Sequence, residues 1–269
     1  MLGPGSETWR HVLDWRLLLG SGRALLLQVA HPTVGAGVAQ YSDFLSRPWQ
    51  RLQHTVDSLM TMTYGGKGTI AEADRLRDLH KDIKGIDHQG RRYHALNPAA
   101  YWWVHATLFE GSLDLHARFA EPLTPSQQQR MYQEWRELGA VLGLKPHQMP
   151  EDVPGFFDYF NDMVANHLED NKTVRMVLAA LGDRRPVSPP GWPKTAWRAI
   201  GPFSSKVMMT ATVGTLPEVF RNRLGLQWTG RDQRNLRMLQ TSVRNGMPLV
   251  PATLRYHPMA LAAKRAARP

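Results

Sequence analysis

Apolar residues recur in this chain every three or four positions, in segments that open near proline and close near glycine. That period places them on one face of a helix, and proline suits a first helical turn whose N–H groups lack partners anyway. The chain is therefore expected to be helical almost throughout. From Thr8 to Leu19 the stripe is Trp9, Val12, Leu13, Leu17 and Leu18, and Gly20-Ser21-Gly22 is read as a break before a second helix from Arg23 to Ala30. Further helices are expected to start at Pro32, Pro48, Pro98, Pro125 and Pro154. The one from Pro48 runs to Tyr64, where Gly65-Gly66 stops it. Thr69 to Lys84 reads as amphipathic, with Ile70, Ala73, Leu76, Leu79 and Ile83 on one face and Gly85 as its cap. Residues 86–96 are turn-like. Residues 194–214, 216–224 and 230–246 complete the pattern. No βαβ alternation and no repeat is present. The expected architecture is all-α: a single domain of about ten helices over residues 9–258. A Pro-rich surface loop at 184–193 interrupts it. Residues 1–8 are expected to be disordered or loosely held, and 259–269 to form a basic tail.

The absence of cysteine removes disulfides, thiolate-ligated metals and covalent haem attachment. Chemistry must come from His, carboxylates, hydroxyls, Arg or a bound cofactor. The net charge is +10, and eight Lys or Arg fall within residues 231–269 against the single acid Asp232. That segment reads either as a solvated helix or as a contact for an acidic membrane surface. Nucleic acid is the weaker partner, because zinc-finger spacing, RNP aromatics and a KH loop are all missing. The N-terminus has no basic and apolar leader pattern, and no run approaches the ~18 apolar residues of a membrane span. A cytoplasmic protein, at most peripheral to a membrane, is expected.

No HExxH, P-loop, GxGxxG or GxSxG motif occurs, and no His has an acid three residues before it. What remains is histidine on apolar helices: His80 beside Leu76 and Ile83, His105 among bulky residues, His31 ahead of Pro32, and His54. Each alone reads best as a core histidine with both nitrogens satisfied. Together, in an all-α chain without Cys, they suit a flat apolar cofactor held by one imidazole.

Four ordered blocks then carry a resemblance: residues 25–38 (LLLQVAHPTVGAGV), 47–55 (RPWQRLQHT), 75–80 (RLRDLH) and 96–108 (LNPAAYWWVHATL), with 132–144 and 216–226 in agreement. They resemble the MpaB-type oxygenase and latex-clearing-protein superfamily over roughly residues 10–260. The resemblance implies a globin-related helical core with non-covalent haem b and O2 as co-substrate. It implies oxidation or oxidative cleavage of hydrophobic, isoprenoid-like substrates: latex-clearing proteins cleave polyisoprene double bonds, and the MpaB type acts on a farnesyl side chain. In the latex-clearing branch the proximal ligand is a His on the helix after an Arg-x-x-Lys-Thr block. Here Arg51, His54 and Thr55 occupy that block, so His80 is implied as the iron ligand, with His105 as runner-up. Arg51 and Thr55 are implied as pocket or propionate-side residues, with His31 and Arg77 as further haem contacts. His54 stands where the family has Lys, and with Arg51 it is expected to stabilise developing negative charge in oxygen chemistry. The branch's distal carboxylate has no counterpart in residues 28–40. Two other functions remain: a haem carrier or sensor without catalysis, and a cofactor-free basic helical module. The oligomeric state is not legible.

Overall fold

In the computed structural model, residues 2–12 and 14–267 are described; Leu13 of the first stripe and Arg268 of the basic segment lie outside them. The fold is all-α. The helices are α1 (Glu7–His11), α2 (Leu17–Ala30), α3 (Pro32–Tyr41), α4 (Pro48–Tyr64) and α5 (Gly68–His80). After a hairpin of β1 (Lys84–Ile86) and β2 (Arg92–His94) come α6 (Pro98–Phe119), α7 (Pro125–Val141), α8 (Val153–Asp162) and α9 (Lys172–Leu181). The chain ends with α10 (Lys194–Thr215), α11 (Glu218–Arg223), α12 (Gly230–Gly246), α13 (Ala252–Arg255) and α14 (Pro258–Ala266).

Proline and capping side chains set the starts as expected. Asn97 accepts from Ala99 and Ala100, Thr124 forms a capping box with Gln127, and Asp152 accepts from Gly155. Gly20-Ser21-Gly22 differs from expectation: it lies inside α2 rather than breaking it. A Cβ on Gly22 would stand 2.1 Å from Thr212 Oγ1, so this glycine lets α10 approach α2. Gly85 is not a cap but sits in β1, paired with Tyr93. Helix α5 accordingly ends at His80, four residues before the expected Lys84.

Among the described residues both ends carry helices. Ser6 caps α1, and the Glu7 and Thr8 amides donate to Glu134 on α7 at 2.8 and 2.7 Å. The expected basic tail forms α14, which buries Ala260. Lys264 lies over the Tyr256 ring, Arg255 reaches Asp14, and Arg244 donates to the carbonyls of Ala117 and Arg118. Three cations of the basic segment are thus engaged within the protein.

Helix α2 is the central element. Leu26, Leu27, Val29 and Ala30 are fully buried, and α6 and α10 pack along it. Its buried Arg23 forms a bidentate ion pair with Glu110 of α6 and donates Nε to the Thr215 carbonyl of α10 at 2.8 Å. Burial pushes the Glu110 carboxyl up, and Arg23 opposes that shift. Trp103 Nε1 donates to the Leu27 carbonyl at 2.8 Å, and Gln28 donates to Thr107 at 2.9 Å, so the α2–α6 seam is also hydrogen-bonded.

Arg23→Met strands a buried carboxylate and is expected to lower unfolding free energy by about 3–5 kcal/mol. Arg23→Met with Glu110→Leu is expected to recover most of that loss. Denaturant melts of the three chains check this; a double variant no more stable than the single one would count against the assignment.

Candidate functional site

Helix α5 is thinly anchored: only Thr69 and Ala73 are buried on it. The expected apolar face is not a single face. Residues spaced by three drift by about 60° per step on a helix, so Ile70 and Leu79 come out on opposite flanks, both about half exposed. His80, at the last turn, points between Ala73 and Leu76.

His80 Nδ1 lies 2.6 Å from the Leu76 carbonyl oxygen. A carbonyl only accepts, so Nδ1 carries the proton and Nε2 keeps its lone pair. Nε2 has no hydrogen-bond partner among the described residues. The ring meets Tyr101 of α6 edge-on, with centroids 5.8 Å apart. Burial lowers the His80 pKa; the Leu76 contact raises it, and the charges of Arg51 and Arg75 lower it further. The net result is a neutral imidazole with one free nitrogen.

His105 is the opposite case. It is buried, and its Nε2 donates to the Trp135 carbonyl at 2.7 Å. Its ring lies against Trp102 and Trp135, with centroids 5.8 and 4.9 Å away. Burial pushes its pKa down to about 4. It locks α6 to α7 inside an aromatic cluster that includes Phe109 and Phe156.

The structure places Arg51 in electrostatic reach of His80. His54 and Thr55 are exposed on α4, where Thr55 Oγ1 donates to the Arg51 carbonyl at 3.0 Å. Arg77 pairs with Asp74, and its guanidinium also approaches Gly143. His31, the residue before α3, has a buried Nδ1 with no partner, and burial pushes its pKa down to about 4. Around it stand Glu169, His167 and Arg91. Arg91 in turn pairs with Asp87 and Glu169. Sequence reasoning missed this group and Tyr101, since nothing in their spacing marks them as neighbours of His31 and His80.

Among the described residues no three His, Asp or Glu side chains converge as a metal cage. Two cavities of about 350 and 370 Å³ flank the C-terminal end of α6, and Arg244 lines both. His80 borders neither.

The family described as "ER-bound oxygenase mpaB/B'/Rubber oxygenase, catalytic domain" matches residues 9–245. The chain is similar to uncharacterised proteins of Mycobacterium bovis and Mycobacterium tuberculosis. Each is 26% identical over 232 residues, which cover 84% of this chain and 87% of the relative. No solved structure matches it.

His31 and His105 stay neutral in the fold down to about pH 4, whereas in the unfolded chain they protonate near 6.5. Their contribution to stability is present above pH 6.5 and is lost as pH falls towards 4. The expected slope is up to about 1.4 kcal/mol per pH unit for each proton. Urea unfolding across that window measures it. His105→Gln is expected to remove about one proton from the slope, and an unchanged slope would contradict the assignment.

Proposed function

The chain belongs to this oxygenase family, and from that premise we propose that it is a haem-dependent oxygenase for an apolar, isoprenoid-like substrate. In this reading His80 would hold the iron of a non-covalent haem b. The observation that carries it is the His80 tautomer. An imidazole ligand needs a free Nε2 and an Nδ1–H fixed by a carbonyl or carboxylate. His80 has both, with Leu76 as the acceptor. His105 commits Nε2 to the Trp135 carbonyl and is buried in the core, which supports His80 over the runner-up.

A bound haem would supply dioxygen activation, and the protein would supply binding, orientation and charge. Arg51, already within electrostatic reach of His80, is suited to a propionate by its bidentate fork. Thr55 adds a hydroxyl one turn along α4. Arg77 can turn from Asp74 to the same task, since that pair is exposed. Of the four histidines in the blocks that carry the resemblance, His54 and His31 are left to hold or move a proton. His31 does so as a neutral base with an unpartnered Nδ1. The thin anchoring of α5 supports the reading too, because a flat cofactor inserted beside His80 would disturb few buried contacts.

The family's distal carboxylate has no counterpart here. Gly35, within that stretch, could not carry one: a Cβ there would stand 2.4 Å from the Val29 carbonyl oxygen and 2.9 Å from Asn171. This favours, as a second reading, a haem protein that binds O2 without turnover.

Reconstitution with hemin, followed by incubation with short polyisoprenoid alkenes under O2, tests the proposal. Carbonyl products are expected. A chain that stays colourless rules out both haem readings, and reversible O2 binding without product supports the carrier. His105→Asn is expected to keep the Soret band of the parent chain.

A further inference from the structure

Residues 184–217 contain no Asp or Glu. Within them Arg184, Arg185, Lys194, Arg198 and Lys206 are all exposed, and none forms an ion pair among the described residues. Elsewhere on the surface a number of cations do have acid partners. Arg75, Arg77, Arg91, Arg118 and Arg175 each neutralise a neighbouring carboxylate.

The same stretch exposes four large apolar side chains. Val187 and Trp192 in the Pro-rich loop are 50% and 49% exposed, and Ile200 and Phe203 on α10 are 45% and 69% exposed. They are not loose. Trp197 is buried and donates Nε1 to the Pro186 carbonyl at 2.7 Å; Trp49 of α4 donates to the Val187 carbonyl at 2.7 Å. Trp49 and Trp192 both meet Trp197 edge-on, with centroids 5.9 Å apart in each case. Two hydrogen-bonded tryptophans thus hold the loop in a shape that leaves Trp192 outward. Ile200 and Phe203 follow Trp197 at three-residue steps and wind from the buried side of α10 to its solvent side.

We propose that the 184–193 loop and the start of α10 form a membrane-docking face, whose apolar side chains enter the interface of an anionic bilayer while the unpaired cations meet its headgroups. Exposed Trp and Phe beside Lys and Arg is the composition that such an interface selects. Five cations without an ion-pair partner, with Asp183 at the edge of the patch accepting from the Arg185 N–H, complement its negative potential. No helix among the described residues is long and apolar enough to cross a membrane, so this contact is peripheral. The proposal goes beyond the oxygenase reading and does not rest on haem. It also differs from docking through residues 231–267, where Arg244, Arg255 and Lys264 are held within the protein.

Sedimentation with vesicles of phosphatidylserine and phosphatidylcholine, against phosphatidylcholine alone, tests it on the full chain. Binding is expected to need the anionic lipid and to weaken with salt. Lys194→Gln with Arg198→Gln is expected to reduce partitioning roughly 25-fold. Phe203→Ser is expected to reduce it roughly tenfold, with circular dichroism unchanged. Arg231→Gln with Arg234→Gln and Arg237→Gln should leave it within about twofold. The proposal is overturned if the C-terminal set abolishes binding while the α10 variants do not. It is equally overturned if the protein ignores anionic vesicles, or if it binds an oligonucleotide more tightly than lipid with no effect of Phe203→Ser.

Discussion

The buried contact between Arg23 and Glu110 governs how the rest of the molecule is arranged. One guanidinium reaches the Glu110 carboxylate on α6 and the Thr215 carbonyl on α10, and lies over the Phe160 ring of α8. Few positions could be moved without breaking one of these contacts. An ion pair in so apolar a setting brings little net stability compared with well-packed hydrophobic residues, but it penalises any other arrangement heavily. It therefore fixes the angle at which α6 crosses α2, and Gly22 sets how closely α10 approaches. The positions of Tyr101 and His105, which lie on α6 two turns or so before Glu110, follow from that frame.

The two histidines share a residue type and a burial trend but have opposite chemistry. His105 takes its hydrogen bond across a helix interface, from Nε2 to the Trp135 carbonyl of α7, and leaves only Nδ1 uncommitted. His80 takes its hydrogen bond within its own helix, from Nδ1 to Leu76, and leaves Nε2 unspent. Burial keeps both neutral, which a metal ligand also requires. The difference lies in the partner carbonyl, not in the apolarity of the surroundings.

Much of the fold was legible because its signals are local. The prolines at 32, 48, 98, 125 and 154 sit in first turns whatever packs around them. Gly22 reads as a break because a glycine that ends a helix and one that admits a neighbouring helix look alike without the neighbour; here it is Thr212, 190 positions later. The hairpin at 84–94 was missed because three-residue strands have too few positions to show a period. Its turn depends on the Asp87 carboxylate accepting from Gln89 and Arg91. At the site, the His80–Leu76 contact spans four residues of one helix and was readable. The His105–Trp135 contact spans 30 and was not. The same holds for Arg23 and Glu110, 87 residues apart, which nothing in the sequence joined.

The Pro-rich loop and the thinly held α5 both leave apolar side chains in water that a monomeric fold would gain by covering, about 25 cal/mol for each Å². An oxygenase acting on isoprenoid-like molecules has a use for each: one surface to meet a lipid phase and one helix to admit a cofactor. If His80 holds the haem iron, replacing its imidazole should abolish that hold. His80→Gly, reconstituted with hemin, should lose the Soret position and haem retention of the parent chain, and should regain both when free imidazole is added. If His80→Gly keeps the parent spectrum without imidazole, the axial ligand lies elsewhere and the account of this site is wrong.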